Sequence, residues 1–462
     1  MAQVVNVKKH CTVNPLKMSQ PLGGALAFLG IANSMPLFHG SQGCTAFGMV
    51  LLVRHFRESI PLQTTAMNEA TTILGGYENL EEAVLTIQKK NTPALIGICS
   101  TGLTETKGDD AAGYIKLIRQ RHPELAGTTL VYAATPDYKG CFQDGYAAAC
   151  SAIIETLVPP GPGARQERLL NLLPGCHLTP GDVEAIKEMA ASFGFEVTAL
   201  PDLSGSLDGH VADHFTPTSL GGTTQEAIAR MGAARHTIAI GEHMRGPAEL
   251  LQQRCGVPCT VLPRLTGLLP CDAFIALLAE LSGQEVPHSL RRARSRLVDA
   301  MLDGHFFFGG QRIAIAAEPD LLIALGHFAA EMGAILHTAV TTSDAPGLAG
   351  LPIDQVLVGD LADLEQHAQG ADLLITHAHG RQAAQRLGVP LFRVGIPIFD
   401  RLGAAHTVHV GYHGTMMLLF ALANMFLESR DHHHDPNAAH HHHNPNPAQD
   451  TDSHARENLA TC

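Results

Sequence analysis

The chain has 462 residues and a formal net charge of −13, from 31 Lys and Arg residues against 44 Asp and Glu residues. Apolar residues make up 45% of it, so it can bury large cores and is not a disordered or fibrous protein. The acidic balance argues against a nucleic-acid-binding face, and the apolar run 416–423 is far shorter than the roughly 20 residues of a membrane span. No apolar stretch follows Lys8 and Lys9, so we predict no signal peptide and a cytoplasmic location.

Short β-branched runs alternate with stretches of helical period along the chain, a pattern typical of α/β proteins with parallel sheets. The first series has strands at 93–100 and 128–133 around a helix at 108–122. In the second series, strand 169–173 precedes a helix that opens at Thr179-Pro180, where threonine caps and proline fits the first turn. The remaining strands predicted for the second series and the third are 195–200, 236–240, 257–262, 312–317, 335–342, 355–359, 373–376 and 391–394.

Two breaks divide this pattern. Residues 159–163 (PPGPG) are a linker signal, and the pattern restarts after residues 306–310. We therefore predict three Rossmann-like α/β units at 1–160, 161–308 and 309–428, followed by a His-rich tail at 429–462 that composition predicts to be disordered. The tail's histidine runs, 432–434 and 440–443, either bind divalent metals weakly or are simply solvated.

Several common motifs are absent from the sequence. It has no Gly-x-Gly-x-x-Gly, no phosphate loop and no Gly-x-Ser-x-Gly, which argues against the commonest α/β enzymes. The segment 221–224 (GGTT) either cradles an anion or forms an ordinary tight turn before a helix. The ten cysteines include no Cys-x-x-Cys and do not suggest a disulfide framework. For Cys255 and Cys259, small buried thiols are favoured over a metal pair.

Cys44 is the cysteine with the most distinctive surroundings. An apolar run ends at His39-Gly40, a Gly-containing turn follows, and Cys44 opens an apolar helical stretch at 45–56. Unpaired N–H groups at a helix N-terminus stabilise a thiolate. Gly40 and Gly43 let a bulky group approach the backbone. The residues alone leave a structural thiol and an iron–sulfur ligand as equal alternatives.

The segment 37–44 (LFHGSQGC) resembles the cysteine signature of the nitrogenase component 1 family. The resemblance extends to about Glu428 and is strongest to the β subunit of the nitrogenase molybdenum–iron protein. It implies three Rossmann-like domains, in agreement with the pattern described above. The other segments that carry it are 54–61 (RHFRESIP), 108–110 (GDD), 221–226 (GGTTQE), 296–299 (RLVD) and 395–401 (GIPIFDR).

The cysteines depart from that β subunit, which contributes three thiolates to an eight-iron P-cluster. Cys44 matches the first of them, but the segment of the second, 61–67 (PLQTTAM), has no cysteine, and the position of the third is Gly102. The family's cluster-associated serine falls near Asp137, and Cys99 lies three residues before Gly102, too far to replace it. The resemblance therefore implies that this chain does not hold an eight-iron cluster.

The cysteine pattern resembles instead the β-like subunit of the scaffold on which the iron–molybdenum cofactor is assembled, as do 241–245 (GEHMR) and 265–268 (LTGL). That resemblance implies no catalytic residue. It implies an α2β2 heterotetramer with an α-like subunit, NifE, and a four-iron, four-sulfur (4Fe-4S) cluster at the interface. The partner would supply three cysteines and this chain Cys44, because such a cluster takes four ligands.

The same resemblance implies further partners. The partner subunit would hold the iron–molybdenum cofactor precursor while molybdenum and homocitrate are inserted. The nitrogenase iron protein would dock on the pair, a donor would supply the precursor, and apo-nitrogenase would receive the product.

Several alternatives stay open. One is a catalytic β subunit, of nitrogenase or of the dark protochlorophyllide reductase, and another is a vanadium-system counterpart of the scaffold. Two histidine groups, His377 with His379 and His406 with His409 and His413, either bind metal or are ordinary structural residues. The resemblance gives neither group a ligand role.

Overall fold

The computed structural model describes residues 1–9, 12 and 14–434, and three parallel sheets form its framework. The strands in chain order are β1 (Gln3–Asn6), β2 (Ser34–His39), β3 (Gln63–Thr64), β4 (Leu95–Ser100), β5 (Thr129–Ala133), β6 (Gln166–Pro174), β7 (Glu196–Ala199), β8 (Ala234–Ile240), β9 (Cys259–Leu262), β10 (Arg312–Ala317), β11 (Ile335–Thr341), β12 (Gln355–Val358), β13 (Leu373–Thr376) and β14 (Leu391–Arg393). Their orders are β3-β2-β4-β5, β7-β6-β8-β9 and β1-β12-β11-β10-β13-β14. All recorded strand pairings are parallel, which confirms the predicted fold class.

Helices follow most of the strands and cover the sheets. They are α1 (Gln20–Leu29), α2 (Gln42–Phe56), α3 (Glu69–Leu74), α4 (Tyr77–Asn91), α5 (Gly102–Lys107), α6 (Ala111–Arg121), α7 (Phe142–Leu157), α8 (Pro180–Ala191), α9 (Gln225–Ala229), α10 (Arg245–Cys255), α11 (Leu268–Ser282), α12 (His288–Phe308), α13 (Pro319–Glu331), α14 (Leu361–His367), α15 (Arg381–Leu387) and α16 (Gly411–His434). Within the described ranges, none of these helices combines the length and apolar character that crossing a bilayer requires.

The first sheet is covered on both faces, as the alternation of its strands dictates. Leu37 and Ile98 face α4 and α6, while Phe38 and Cys99 face the opposite way, into a core shared with α1 and α7. That second core also includes residues of β6 and α10, so it joins the first unit to the second. The linker 159–163 lies between α7 and β6.

The second and third sheets are built in the same way. In the second, α8 and α11 pack on one face, and the other face belongs to the core shared with the first unit. In the third, α13 and α16 pack on one face and α14 and α15 on the other. The predicted capping of α8 is present, because Thr179 Oγ1 accepts the Asp182 N–H at 2.9 Å and Asp182 Oδ2 accepts the Thr179 N–H at 3.0 Å.

The N-terminal strand β1 belongs to the third sheet. β1 pairs with β12, in the register Gln3–Gln355 to Asn6–Val358, although the sequence pattern groups residues 1–160 together. Helix α12 continues to Phe308, through most of the predicted break at 306–310. Helix α16 continues to His434, past the predicted start of the tail at 429, and residues 435–462 lie outside the described residues.

Candidate functional site

The carboxyl edge of the first sheet gathers the positions that the sequence singles out. β2, β3, β4 and β5 are parallel, so the segments that follow them meet at one edge. Hydrogen bonds join those segments. Thr101 Oγ1 donates to His39 O at 3.0 Å, and the Gly40 N–H donates to Thr65 Oγ1 at 3.0 Å.

Cys44 lies at this edge, in the first turn of α2, and its side chain is exposed. Ser41 precedes the helix in extended conformation, and its Oγ is 3.7 Å from Cys44 Sγ. No side chain caps the first turn, and a Cβ added at Gly43 would meet no atom within 4 Å among the described residues. The thiol and the backbone beside it are therefore open to a bulky group. That Cys44 is a cluster ligand stays a prediction.

An unusual amount of apolar side chain is exposed around this edge. Phe47 is 69% exposed, and Val50 and Val53 follow it along α2 at intervals of three residues. Ile73 and Leu74 on α3 are 80% and 86% exposed, and α3 contacts α5, which follows β4. Exposed apolar patches of this kind mark interaction surfaces. We call the set the edge surface; it comprises Phe47, Val50, Val53, Ile73, Leu74 and Tyr138.

Hydrogen bonds fix the segment 61–67 and Gly102, where the resemblance places the related β subunit's further cysteines. In 61–67, the buried Thr65 hydroxyl is bonded to the Gly40 backbone, with His39 Nδ1 3.2 Å away. At Gly102, the backbone N–H donates to Asp137 Oδ2 at 3.1 Å. Burial raises the pKa of Asp137, against the lowering effect of that hydrogen bond.

The remaining cysteines that sequence analysis singled out lie away from this edge or inside the protein. Cys99 is fully buried in β4, and a Cβ at Gly24 of α1 would come within 2.7 Å of its Sγ. Cys255 is buried and donates to Pro159 O, while Cys259 is half-buried and donates to Gln252 Oε1. Burial raises the pKa of all three thiols. Cys44 is thus the exposed thiol among the described cysteines.

The predicted histidine groups have ordinary structural contacts. His377 is buried and accepts the His379 N–H at Nδ1, and burial lowers its pKa to about 4. His409 is half-buried, and its backbone N–H donates to Asp182 Oδ1 at 2.6 Å. His406 and His413 are exposed. Within the described ranges, none of these five belongs to a group with metal-binding geometry.

None of the predicted sites includes the one group with metal-binding geometry that the described residues form, His177, His243 and Asp320. Each of the three follows a strand of the second or third sheet: β6, β8 and β10 respectively. The rule that side chains at carboxyl ends of parallel strands converge would have marked all three as candidates.

Two of the segments that carry the family resemblance contact each other. His55 Nδ1 accepts the Ile398 N–H at 2.9 Å, and the Arg57 guanidinium donates to Phe399 O at 2.9 Å. The Arg54 guanidinium lies 4.2 Å from the centre of the Phe399 ring, a cation–π contact. The C-terminal end of α2, which carries Cys44 at its other end, is thereby fixed to the third unit.

These features define a class of protein. Three parallel α/β units with a cysteine at the carboxyl edge of the first sheet are the arrangement expected for the nitrogenase component 1 family, and the model of that family, nitrogenase component 1 type oxidoreductase, matches residues 19–427. The chain belongs to this family.

Comparison with individual relatives shows which members of the family the chain resembles. The chain is 54% identical over 440 residues to the nitrogenase iron-molybdenum cofactor biosynthesis protein NifN of Bradyrhizobium diazoefficiens, with 94% of each chain covered. It is 49% identical to the NifN protein of Nostoc sp., covering 93% of this chain and 97% of the relative. A chain solved in the structure of nitrogenase Cp1 at pH 6.5 superposes with a TM-score of 0.88 at 31% identity, covering 94% of this chain and 97% of that one. The predicted resemblance to the scaffold branch is confirmed.

Proposed function

We propose that this chain is the β-like subunit of a scaffold on which the iron–molybdenum cofactor of nitrogenase is assembled. In this proposal it pairs with a NifE-type α-like subunit as an α2β2 complex and contributes Cys44 to a 4Fe-4S cluster at their interface. The observation that carries it is the exposed Cys44 thiol at the edge surface, combined with NifN names on relatives about half identical to the chain.

The residues present fit one corner of such a cluster and no more. An iron–sulfur cluster of this type takes four thiolates. Of the described cysteines, Cys44 alone is exposed, and neither the segment 61–67 nor Gly102, where the resemblance puts the related β subunit's other ligands, offers a thiol. In this proposal the other three thiolates come from the partner. The cluster would supply one-electron transfer, and this chain would hold one iron and seal the interface.

The edge surface favours a cluster covered by a protein partner, not a cluster exposed to solvent. Phe47, Val50 and Val53 follow Cys44 along the exposed side of the same helix, so a subunit that reaches the thiol also covers these side chains. Burying apolar area stabilises a complex by roughly 25 cal/mol per Å². The same contact would exclude water from the cluster.

The experiment is anaerobic co-expression with the NifE-type partner, followed by iron analysis and electron paramagnetic resonance of the purified pair. We expect about four irons per αβ pair for the interface cluster. The chain expressed alone should carry no cluster. Cys44→Ala should give a labile cluster or an altered signal, whereas the control Cys259→Ala, at the half-buried thiol bonded to Gln252, should leave the signal unchanged.

Two outcomes would contradict the proposal. An unaltered signal with full iron content in the Cys44→Ala pair would remove this residue from the ligand set. A pair that supports no cofactor maturation but reduces dinitrogen or protochlorophyllide with an iron protein would favour a catalytic β subunit.

A further inference from the structure

A group of two half-buried histidines and one buried carboxylate lies where the second and third units meet. His177 follows β6, His243 lies in the short 3-10 turn Glu242–Met244 after β8, and Asp320 is in the first turn of α13. Each offers one ligand atom, and these atoms lie within 4.8 Å of one another. The group is remote in sequence and in sheet from Cys44, so the proposed interface cluster does not account for it.

Two buried polar atoms in this group have no hydrogen-bonding partner among the described residues. They are His177 Nδ1 and Asp320 Oδ1. The side chains of His243 and Asp320 are only 2% and 1% exposed. Asp320 Oδ2 accepts the ring and backbone N–H groups of His243, so only half of the carboxylate is satisfied. A buried polar atom without a hydrogen bond is costly, and each such atom calls for an explanation.

The backbone is shaped to let these side chains converge. Gly241 has φ +102°, a conformation that side chains rarely allow, and it directly precedes the turn that carries His243. A Cβ at Gly241 would lie 2.8 Å from Asp320 Oδ2 and 2.9 Å from His177 Cε1. The close approach of all three side chains therefore depends on a glycine at this position. Gly241 and His243 belong to the segment 241–245 that also resembles the scaffold branch.

We propose that His177, His243 and Asp320 bind one divalent first-row transition metal ion, Zn²⁺ or Fe²⁺, that fastens the second unit to the third. Two imidazoles and one carboxylate form a ligand set that both ions accept. A cavity of about 20 Å³ borders His177, Cys176 and Glu318 and has room for one water beside His177. The ion satisfies both unpartnered atoms and compensates the buried carboxylate.

Binding involves no redox change and rearranges two hydrogen bonds. Without the ion, His243 Nδ1–H donates to Asp320 Oδ2 at 2.5 Å, and Nε2 accepts the Cys176 N–H at 3.2 Å. When the ion takes the Nδ1 lone pair, the ring hydrogen moves to Nε2, and the already long contact with Cys176 opens. Protons and electrons both balance, because the ring exchanges one hydrogen position for the other.

The test is metal retention by the full-length chain, purified anaerobically, loaded with Zn²⁺ and then treated briefly with EDTA. The histidine-rich tail also offers imidazoles, so every variant keeps it and the comparison is between variants. Asp320→Asn keeps an acceptor for His243 but loses the charge, and His177→Gln removes the unpartnered imidazole. The control is His236→Asn on β8, whose ring contacts Thr260 Oγ1 at 2.8 Å and lies outside the group.

We expect the wild type and His236→Asn to retain one zinc per chain more than Asp320→Asn and His177→Gln. Equal retention in all four proteins overturns the proposal. Circular dichroism reports whether each variant folds. If both site variants fail to fold, X-ray absorption of the EDTA-treated wild type and of the chain truncated after Arg430 decides, since the proposal requires a nitrogen–oxygen shell with imidazole scattering that persists without the tail. A sulfur shell or no retained zinc would then refute it.

Discussion

His55 gives the sharpest prediction about stability, because it joins α2 to the third unit. The ring is buried, and its Nδ1 accepts the Ile398 N–H at 2.9 Å. Burial lowers the pKa of His55 from 6.5 to about 4, and the Ile398 N–H needs the same lone pair that a proton would take. The folded protein therefore keeps this histidine neutral well into the acidic range.

The sign and size of the effect follow from proton linkage. Between pH 6.5 and about 4, the unfolded chain carries a proton on His55 and the folded chain does not, so the free energy of unfolding falls as the pH falls through this window. At about 1.4 kcal/mol per pH unit, the complete window corresponds to about 3 kcal/mol. Between pH 7.5 and pH 5 the loss from this one ring is about 2 kcal/mol.

The perturbation is His55→Asn, which offers a side-chain oxygen to the Ile398 N–H and does not titrate. The sequence has no Trp, so urea unfolding is followed by far-ultraviolet circular dichroism at pH 7.5 and pH 5. Relative to the wild type, the variant should gain about 2 kcal/mol on acidification. Burial also lowers the pKa of His39, His177 and His377 to about 4, but these residues are present in both proteins and cancel.

A second variant separates titration from the hydrogen bond. His55→Phe removes the acceptor as well, which should cost about 1–3 kcal/mol more at pH 7.5 because the Ile398 N–H is left unpaired. If the wild type and His55→Asn lose stability in parallel on acidification, the ring is not kept neutral and the reasoning fails.

Three further predictions concern the partner surface, a helix cap and the tail. Phe47→Asp should change the stability of the chain by less than about 0.5 kcal/mol, because the side chain is exposed, yet lower co-purification with the NifE-type partner at least about tenfold. Equal loss with Lys90→Asp, at an exposed position of α4, would contradict a specific surface. Thr179→Ala should cost about 1–2 kcal/mol in urea unfolding by removing the α8 cap, and a loss below about 0.3 kcal/mol would refute that role. Truncation after Arg430 should preserve pairing, the shared cluster and cofactor maturation when metals are plentiful; failed maturation in a paired complex would make the tail part of the mechanism.

The sequence predicted the elements whose signals are local. The strands alternate or are continuously apolar, and Thr179-Pro180 begins α8 as its capping chemistry requires. The helix predicted at 108–122 starts later, because Gly108 adopts φ +78° as the C-terminal cap of α5 and Asp110 then caps α6. The hydrophobic period of the helix reveals neither the Gly108 cap nor the Asp110 cap, because both depend on turn chemistry.

Among the candidate sites, too, those with local sequence signals could be predicted and those formed by distant segments could not. Cys44 could be placed at a helix N-terminus because the turn and the apolar helix are contiguous with it. The edge surface could not be predicted, since Phe47 and Val50 read as core residues of an amphipathic helix until the sheet shows which side of α2 is covered. The group of His177, His243 and Asp320 comes from three connections more than sixty residues apart, and only the packing of two sheets brings it together.

The pairing of β1 with β12 has a consequence for biosynthesis. β1 leaves the ribosome long before its partner at 355–358, which is synthesised after the entire first and second units. Until β12 is synthesised, β1 has no strand to pair with. The third sheet therefore gains its edge strand only when β12 pairs with a segment made some 350 residues earlier. A fragment that starts at the third unit would expose the β12 backbone edge, which pairs readily with other chains. The third unit expressed alone should therefore aggregate more readily than the complete chain. An affinity tag fused directly to β1 or inserted beside β12 would interfere with their pairing.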